Sequence, residues 1–259
     1  MIVDLHNHTK LCNHADGEIF EYIEKAIACN TKYFGFSEHA PMNFDEKYRM
    51  SFEQMKWYEE AILNAKERYK EKIEILLGYE VDYLKGYIDE RVLNANVDYL
   101  IGSVHFIEEW GFDNPEFIGA YEGRDIDEIW RKYFDAIEEM ANSRLFDIVA
   151  HLDLIKIFKF MPKEDIAKIS KNALLAIKES GMSIEINVAG FRKPIGEAYP
   201  SITLLQEAKK FAIPITFASD AHKPEQVGLY GDEVIKMAKT AGYKECAFYR
   251  KREIEFIKF

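Results

Sequence analysis

The chain has little sulfur chemistry, no long apolar run and no excess of positive charge, and each lack removes a class of function. Cys12, Cys29 and Cys246 lie far apart in sequence and form no C-x-x-C pair. An odd, sparse set of this kind reads as reduced thiols and makes the cytoplasm the expected compartment. No stretch approaches the roughly 18 consecutive apolar residues of a membrane span, so no membrane partner is expected. No signal peptide is expected either, because Asp4 and the polar residues among Asn7 to Lys10 interrupt any apolar segment at the start. Lysines and arginines number 34 against 45 acids, a formal net charge of −11. A dedicated nucleic-acid groove normally shows a basic patch, so none is expected. An anionic small substrate stays admissible, because bound divalent cations would dominate the local field.

Internal repeats, low-complexity tracts and linkers are also missing, and the 259 residues are read as one domain, 1–259. What is present alternates. Apolar runs at 3–8, 33–39, 73–81, 98–105, 146–151, 182–188 and 215–222 read as strands. Between them lie helical patterns. After Asp16-Gly17, Ile19, Phe20, Ile23, Ala26 and Ile27 share one face. Ser51 with Gln54 resembles a capping box ahead of Met55, Ile62, Ala65 and Tyr69. Ile126, Ile129, Tyr133, Ile137 and Met140 repeat at helical spacing. Pro162 marks the expected start of the next helix and Gly181 its stop. Helices are further expected over 200–211 and 224–241, while the tail 247–259 alternates ambiguously. Seven strands alternating with helices predict an α/β fold with a parallel sheet, and in a domain of this size a barrel fits better than an open sheet. Reactive groups of such barrels gather at the C-terminal ends of the strands.

The histidines obey that rule. His6, His8, His39, His105, His151 and His222 close strand candidates, and His14 follows in the loop after the first strand. His6 and His8 are spaced i, i+2, which in extended chain puts two imidazoles on one side. Glu80 and Asp220 hold strand-end positions too. This set exceeds the roughly three protein ligands of a single catalytic zinc and suffices for two or three divalent ions if a carboxylate bridges. Several imidazoles converging without metal would be a costly polar cluster. Close metals suit phosphoryl transfer, since they can bind both the attacking and the leaving oxygen.

These residues resemble a known family. Asp4-x-His6-x-His8, Ser37-Glu38-His39, Glu80, His105, His151 and Asp220-Ala221-His222 resemble the polymerase and histidinol phosphatase (PHP) superfamily. The segments around Cys12 to Ala15, Gly102 to Phe106 and Ala150 to Lys156, and above all Glu185 to Pro194 with Tyr199-Pro200-Ser201, are similar to its histidinol-phosphate phosphatases. The resemblance implies a distorted seven-stranded (β/α)7 barrel with a trinuclear site. It implies that His6, His8, Glu80 and Asp220 bind one metal. Glu80 would bridge to a second held by His105 and His151, and His14, His39 and His222 would hold a third. In the first loop, Asp16 is the alternative to His14. Zinc, iron and manganese all accept such ligands.

Arg192, after the sixth strand, is the expected phosphate ligand, because a guanidinium can grip two phosphate oxygens at once. Lys193 and Lys156 are weaker candidates, read as solvated. The aromatic and acidic loop 108–125 is a candidate to cover the site or to meet the imidazole of the substrate, with plain surface as the alternative. The expected reaction is hydrolysis of L-histidinol phosphate, a small phosphorylated substrate, in histidine biosynthesis. The nucleophile would be a metal-bound hydroxide rather than a side chain, with the general acid unassigned. A nuclease or protein-tyrosine phosphatase on the same site is the alternative, and a non-catalytic metal-binding protein a further one. An amidohydrolase is disfavoured, since no metal-bridging lysine ends the fourth strand and the closing motif is Asp-x-His.

Overall fold

Seven parallel strands form the central sheet of the computed structural model, which describes residues 1–259. They are β1 (Val3–Asp4), β2 (Tyr33–His39), β3 (Glu74–Asp82), β4 (Tyr99–Ser103), β7 (Ile148–Val149), β8 (Ser183–Asn187) and β9 (Ile215–Ala218), hydrogen-bonded in that order. Past the ends of β1 and β9 the seam is stitched by backbone hydrogen bonds. Leu5 N donates to Phe217 O at 3.0 Å, Asp220 N to His6 O at 2.7 Å and His8 N to Ala221 O at 3.0 Å. The sheet thereby curls into the expected barrel.

Asp4, first residue of the sequence motif, holds this seam. Its carboxylate accepts from Ser219 N at 2.8 Å, Ser219 Oγ at 2.6 Å and Asn7 Nδ2 at 3.1 Å. Within the barrel, Tyr99 reaches from β4 across to β1, donating to Leu5 O at 2.6 Å. Its ring occupies space that Gly35 and Gly78 leave open. A Cβ at Gly78 would stand 2.5 Å from a ring carbon, and one at Gly35 would strike the hydroxyl.

The outer layer consists of α1 (Ile19–Ala28), α2 (Met55–Tyr69), α3 (Glu90–Leu93), α4 (Ile126–Ser143), α5 (Ile166–Ile169), α6 (Lys171–Ser180), α7 (Ile202–Lys210) and α8 (Gly231–Thr240). In α4 the predicted stripe holds: Asp125 caps the N-terminus, and Ile129, Tyr133, Ile137 and Met140 are buried. The capping box of Ser51 and Gln54 is present, on a helical turn that leads into α2. Several expectations need correction. Phe20 is 46% exposed, and Tyr22 takes its place inward on α1. Pro162 starts no helix; Asp165 caps α5 through its carboxylate, and the chain re-registers at Ser170 before α6 runs on to Gly181 in the left-handed region. Pro224 opens only a short turn, and Tyr230, with φ of 60°, separates it from α8.

The ambiguous tail is an antiparallel hairpin, β10 (Glu245–Arg250) with β11 (Glu253–Lys258). It plugs the N-terminal end of the barrel: Phe248 stacks on Tyr33 at 3.8 Å, Arg250 pairs with Glu74, and Tyr249 Oη donates to Asp147 O at 2.9 Å. At the opposite end the loop after β4 is not structureless. It contains a small hairpin, β5 (Phe106–Ile107) with β6 (Trp110–Gly111), and a helical turn Pro115–Tyr121. No helix is long and apolar enough to cross a membrane.

Candidate metal centre

All seven histidines meet at the C-terminal mouth of the barrel. His6 and His8 follow β1, and the chain there is extended enough for their rings to face together, Nε2 to Nε2 at 3.1 Å. Glu80, on β3, lies between three sets of imidazoles. Its Oε2 is 3.2 Å from His6 Nε2, 3.6 Å from His8 Nε2 and 2.9 Å from His39 Nδ1. Its Oε1 is 3.1 Å from His151 Nε2 and 3.6 Å from His105 Nε2. Asp220 Oδ1 stands 3.4 Å from His8 Nε2. Asp220 sits at φ of 49°, in a left-handed turn that aspartate tolerates better than most residues.

Three groups of converging donors result: His6, His8 and Glu80; Glu80, His105 and His151; and His14, His39 and His222. In the first loop the structure brings His14 to the cluster and leaves Asp16 outside it, in an exposed pair with Lys223. Cys12 also lies near His8 and His222, but burial pushes its thiol far up, so it stays protonated and bonded to Thr9 O.

The donor set fits divalent cations on two observations. Separations of 3.1–3.6 Å among His6, His8 and Glu80 match the donor spacing, about 3.4 Å, of a tetrahedron around an ion with ligands at about 2.1 Å. His222 Nε2 is also buried with no hydrogen-bond partner in the protein, a costly state unless a ligand meets it.

A second ring of carboxylates orients the imidazoles. Glu185 lies 2.9 Å from His6 Nδ1, Glu38 3.2 Å from His8 Nδ1 and Asp82 2.7 Å from His105 Nδ1. Each contact turns Nε2 toward the centre and enforces one tautomer, the usual arrangement behind metal-binding histidines. Asp82 is itself gripped by buried Arg49 at 3.0 Å. Burial acts to lower the His6 pKa, but Glu185 and Glu80 outweigh it and raise it well above the ordinary value. His8 is raised to about 9 by Asp220 and Glu38 against burial, and His105 to about 10 by Asp82 and Glu80 against burial. His39 is lowered to about 4, chiefly by burial. Glu80 and Asp220 are held well below the carboxylate range, the imidazoles overcoming the burial penalty.

Sequence reading assigned no role to Glu38, Asp82 or Glu185. Glu38 and Glu185 stood inside the motifs of the resemblance, and Asp82 lies two residues from Glu80 and therefore on the same side of the strand.

Beside the cluster opens a cavity of about 260 Å³ lined by His105, His151, Asp113, Arg192 and Tyr199, among others. Arg192 is where the sequence led. Its Nη2 donates to Ser219 O at 2.9 Å and Asp220 O at 2.8 Å, which spends that nitrogen and leaves buried Nη1 unpartnered. Tyr199 is 1% exposed and its hydroxyl also lacks a partner. Lys193 is exposed at the cavity rim. Lys156 is not solvated as expected: it is buried, its ammonium committed to Asp153 at 3.0 Å, Glu197 at 2.8 Å and Ala198 O at 2.8 Å. These bonds tie the Arg192–Tyr199 loop to the turn after β7.

Residues 4–189 match the model of the PHP domain, and residues 205–234 match that of a PHP-associated segment. The chain belongs to the PHP domain family. It is 34% identical, over 97% of its length and 98% of the other's, to a protein of Deinococcus radiodurans named "Probable histidinol-phosphatase". Identity is 29% to the histidinol-phosphatase of Bacillus subtilis, over 87% of this PHP protein and 95% of that one. Among solved structures, the histidinol phosphate phosphatase of Lactococcus lactis, complexed with zinc, L-histidinol and phosphate, superposes with a TM-score of 0.81. The match covers 98% of each chain at 22% identity, a likeness of fold.

Proposed function

We propose that this PHP protein is a metal-dependent phosphomonoesterase that hydrolyses L-histidinol phosphate to L-histidinol and inorganic phosphate. The observation that carries the reading is a shared cavity: the unpartnered Arg192 Nη1 and Tyr199 hydroxyl line the space beside Glu80, His105 and His151. The full-length relatives named as histidinol-phosphatases support the choice of substrate. His6, His8, Glu80 and Asp220 hold one divalent ion, Glu80 with His105 and His151 a second, and His14, His39 and His222 a third. Zinc, iron and manganese suit these donors, and the zinc in the Lactococcus protein makes zinc the first to test. Bound divalent ions supply Lewis acidity and lower the pKa of water toward about 7.

The protein's own part is orientation and charge. Arg192 Nη1 and Tyr199 Oη donate to phosphate oxygens, and burial, which raises the Tyr199 phenol far above its ordinary range, keeps that proton on oxygen. Because Nη2 is spent on two carbonyls, Arg192 grips phosphate from its Nη1 edge rather than through both terminal nitrogens. Glu185, Glu38 and Asp82 fix the histidine tautomers. One continuous core running from Val3 to Tyr249 supports reading 1–259 as one domain. Three free cysteines, two of them buried, agree with a cytoplasmic setting.

The test is phosphate release by metal-replete protein from L-histidinol phosphate, beside p-nitrophenyl phosphate, a phosphotyrosine peptide and single-stranded DNA. The expected result is a strong preference for histidinol phosphate that is lost on chelation and falls about 100-fold in Arg192→Ala. Better turnover of the peptide or DNA would overturn the assignment.

A further inference from the structure

Resting on the phosphatase reading, we propose that Asp113 selects the substrate, its carboxylate pairing with the ammonium group of an amino-alcohol phosphate. A second chamber of about 250 Å³ adjoins the inner cavity, sharing His14, His39, His105, Lys193 and Asp113 with it. The two chambers differ in character. The inner one presents the unpartnered donors Arg192 Nη1 and Tyr199 Oη, suited to an anion. The outer one carries the aromatic rings of Tyr48, Phe106 and Phe117 and is acidic at its junction with the inner one.

Asp113 is the uncommitted acid of the outer chamber. Asp82 is paired with Arg49 and His105, and Asp45 with Arg49. By contrast, no side-chain or backbone donor in the protein bonds the Asp113 carboxylate, and no lysine, arginine or histidine lies within ion-pair distance of it. Lys193 borders both chambers too, but it is exposed and makes no ion pair. Burial raises the Asp113 pKa against the charges of His105, His151 and Lys193, none of which bonds it, so its carboxylate stays open to a direct cationic partner.

The substrate's shape matches this polarity. In histidinol phosphate the ammonium sits on the second carbon from the ester oxygen, and we place it, with phosphate at Arg192, at the junction that Asp113 lines. The imidazole then extends toward the rings of Tyr48 and Phe117. An alcohol phosphate without the amine would leave Asp113 buried against an apolar chain.

The test compares L-histidinol phosphate with n-propyl phosphate, an amine-free ester whose alkoxide is a similarly poor leaving group, in wild type, Asp113→Asn and Asp113→Glu of measured metal content. A charge-assisted hydrogen bond corresponds to roughly 10- to 100-fold in selectivity. Asp113→Asn is expected to lower the ratio of kcat/KM for histidinol phosphate over propyl phosphate by that factor, mostly through KM, and Asp113→Glu to restore part of it. A ratio within twofold of wild type would overturn the proposal. So would equal loss on both esters, which is the signature of a proton donor or a structural role. Calorimetric binding of the product L-histidinol separates this from the phosphatase reading. If wild type binds it and Asp113→Asn binds it at least 10-fold more weakly, the amine site stands even where histidinol phosphate proves a poor substrate; equal binding by both would overturn it.

Discussion

Asp82→Asn isolates the second ring of carboxylates from the first. The Asp82 carboxylate spans two partners, His105 Nδ1 at 2.7 Å on one oxygen and Arg49 Nη2 at 3.0 Å on the other. Asparagine keeps the shape but offers one acceptor and one donor. Whichever way the amide turns, an N–H faces either the Arg49 guanidinium or the His105 ring nitrogen that should donate. Loss of such an outer partner typically costs 10- to 100-fold in metal affinity, or about 1.4–2.7 kcal/mol. The buried Arg49, 4% exposed, meanwhile loses its main counter-charge, and breaking a buried pair on one side costs about 3–5 kcal/mol of stability. The remaining Asp45 contact at 3.5 Å and the Ala40 and Asp45 carbonyls soften that loss toward its lower end. Zinc affinity by chelator competition and urea unfolding of the metal-free protein measure the two effects separately. A variant that binds zinc within twofold of wild type would refute the claim that Asp82 sets the His105 tautomer. Unchanged urea stability would refute the claim that Arg49 depends on it.

Other perturbations follow from the same contacts. Gly78→Ala drives a methyl group to 2.5 Å from the Tyr99 ring and is expected to cost at least 1–3 kcal/mol by overpacking, read from the urea midpoint. Tyr99→Phe removes the donor to Leu5 O at the barrel seam and is expected to cost about 1–3 kcal/mol by the same assay. Lys156→Met strands buried Asp153, with an expected loss of about 3–5 kcal/mol and a fall in kcat/KM as the Arg192 loop loosens. Gly190→Ala forces a methyl group onto the Glu197 carbonyl and should depress phosphate release while leaving bound zinc at wild-type stoichiometry by elemental analysis.

How much of this was legible in the sequence depends on whether the signal was local. A histidine that ends an apolar run carries its own evidence, since strand parity and the barrel's C-terminal rule act within a few residues. That is why six of the seven histidines, Glu80 and Asp220 are legible, whereas His14, in the loop after the first strand, rests on the resemblance. Glu38 meets His8 because β2 pairs with β1, and Glu185 reaches His6 from β8, beyond β9, only once the barrel closes; the two contacts span 30 and 179 residues of sequence. Lys156 looked solvated because lysine in a turn usually is; Asp153 and Glu197 become its partners only when the 189–200 loop folds back. The tail stayed ambiguous for another reason. β11 is mostly exposed or half-buried, so its alternation is weak, while the anchoring comes from β10 and the strand starts it plugs.

The electrostatics of the centre also decide when phosphate binds. In the metal-free protein the surrounding carboxylates favour protonation of His6, His8 and His105, and the 3.1 Å Nε2–Nε2 contact requires His6 and His8 to share one proton between those nitrogens. Metal ions need neutral imidazoles, so loading expels those protons. The sign is fixed: ligand protonation competes with metal, so apparent metal affinity rises with pH up to about 10, where His105 loses its proton, and falls as pH drops below that value. Protons should leave as the His6–His8 and His105–His151 sites fill near pH 7, measurable by calorimetry in buffers of different ionisation enthalpy. Two or three divalent ions bring about +4 to +6 in place of those protons, so the mouth becomes more positive on loading. On the proposed reading, that added positive charge together with Arg192 would hold a phosphate dianion in an otherwise acidic chain. Inorganic phosphate should therefore bind the zinc-loaded protein and bind the metal-free protein at least 100-fold more weakly. Equal affinity in both states would mean that Arg192 and Tyr199 suffice, and that the metals act on the reaction alone.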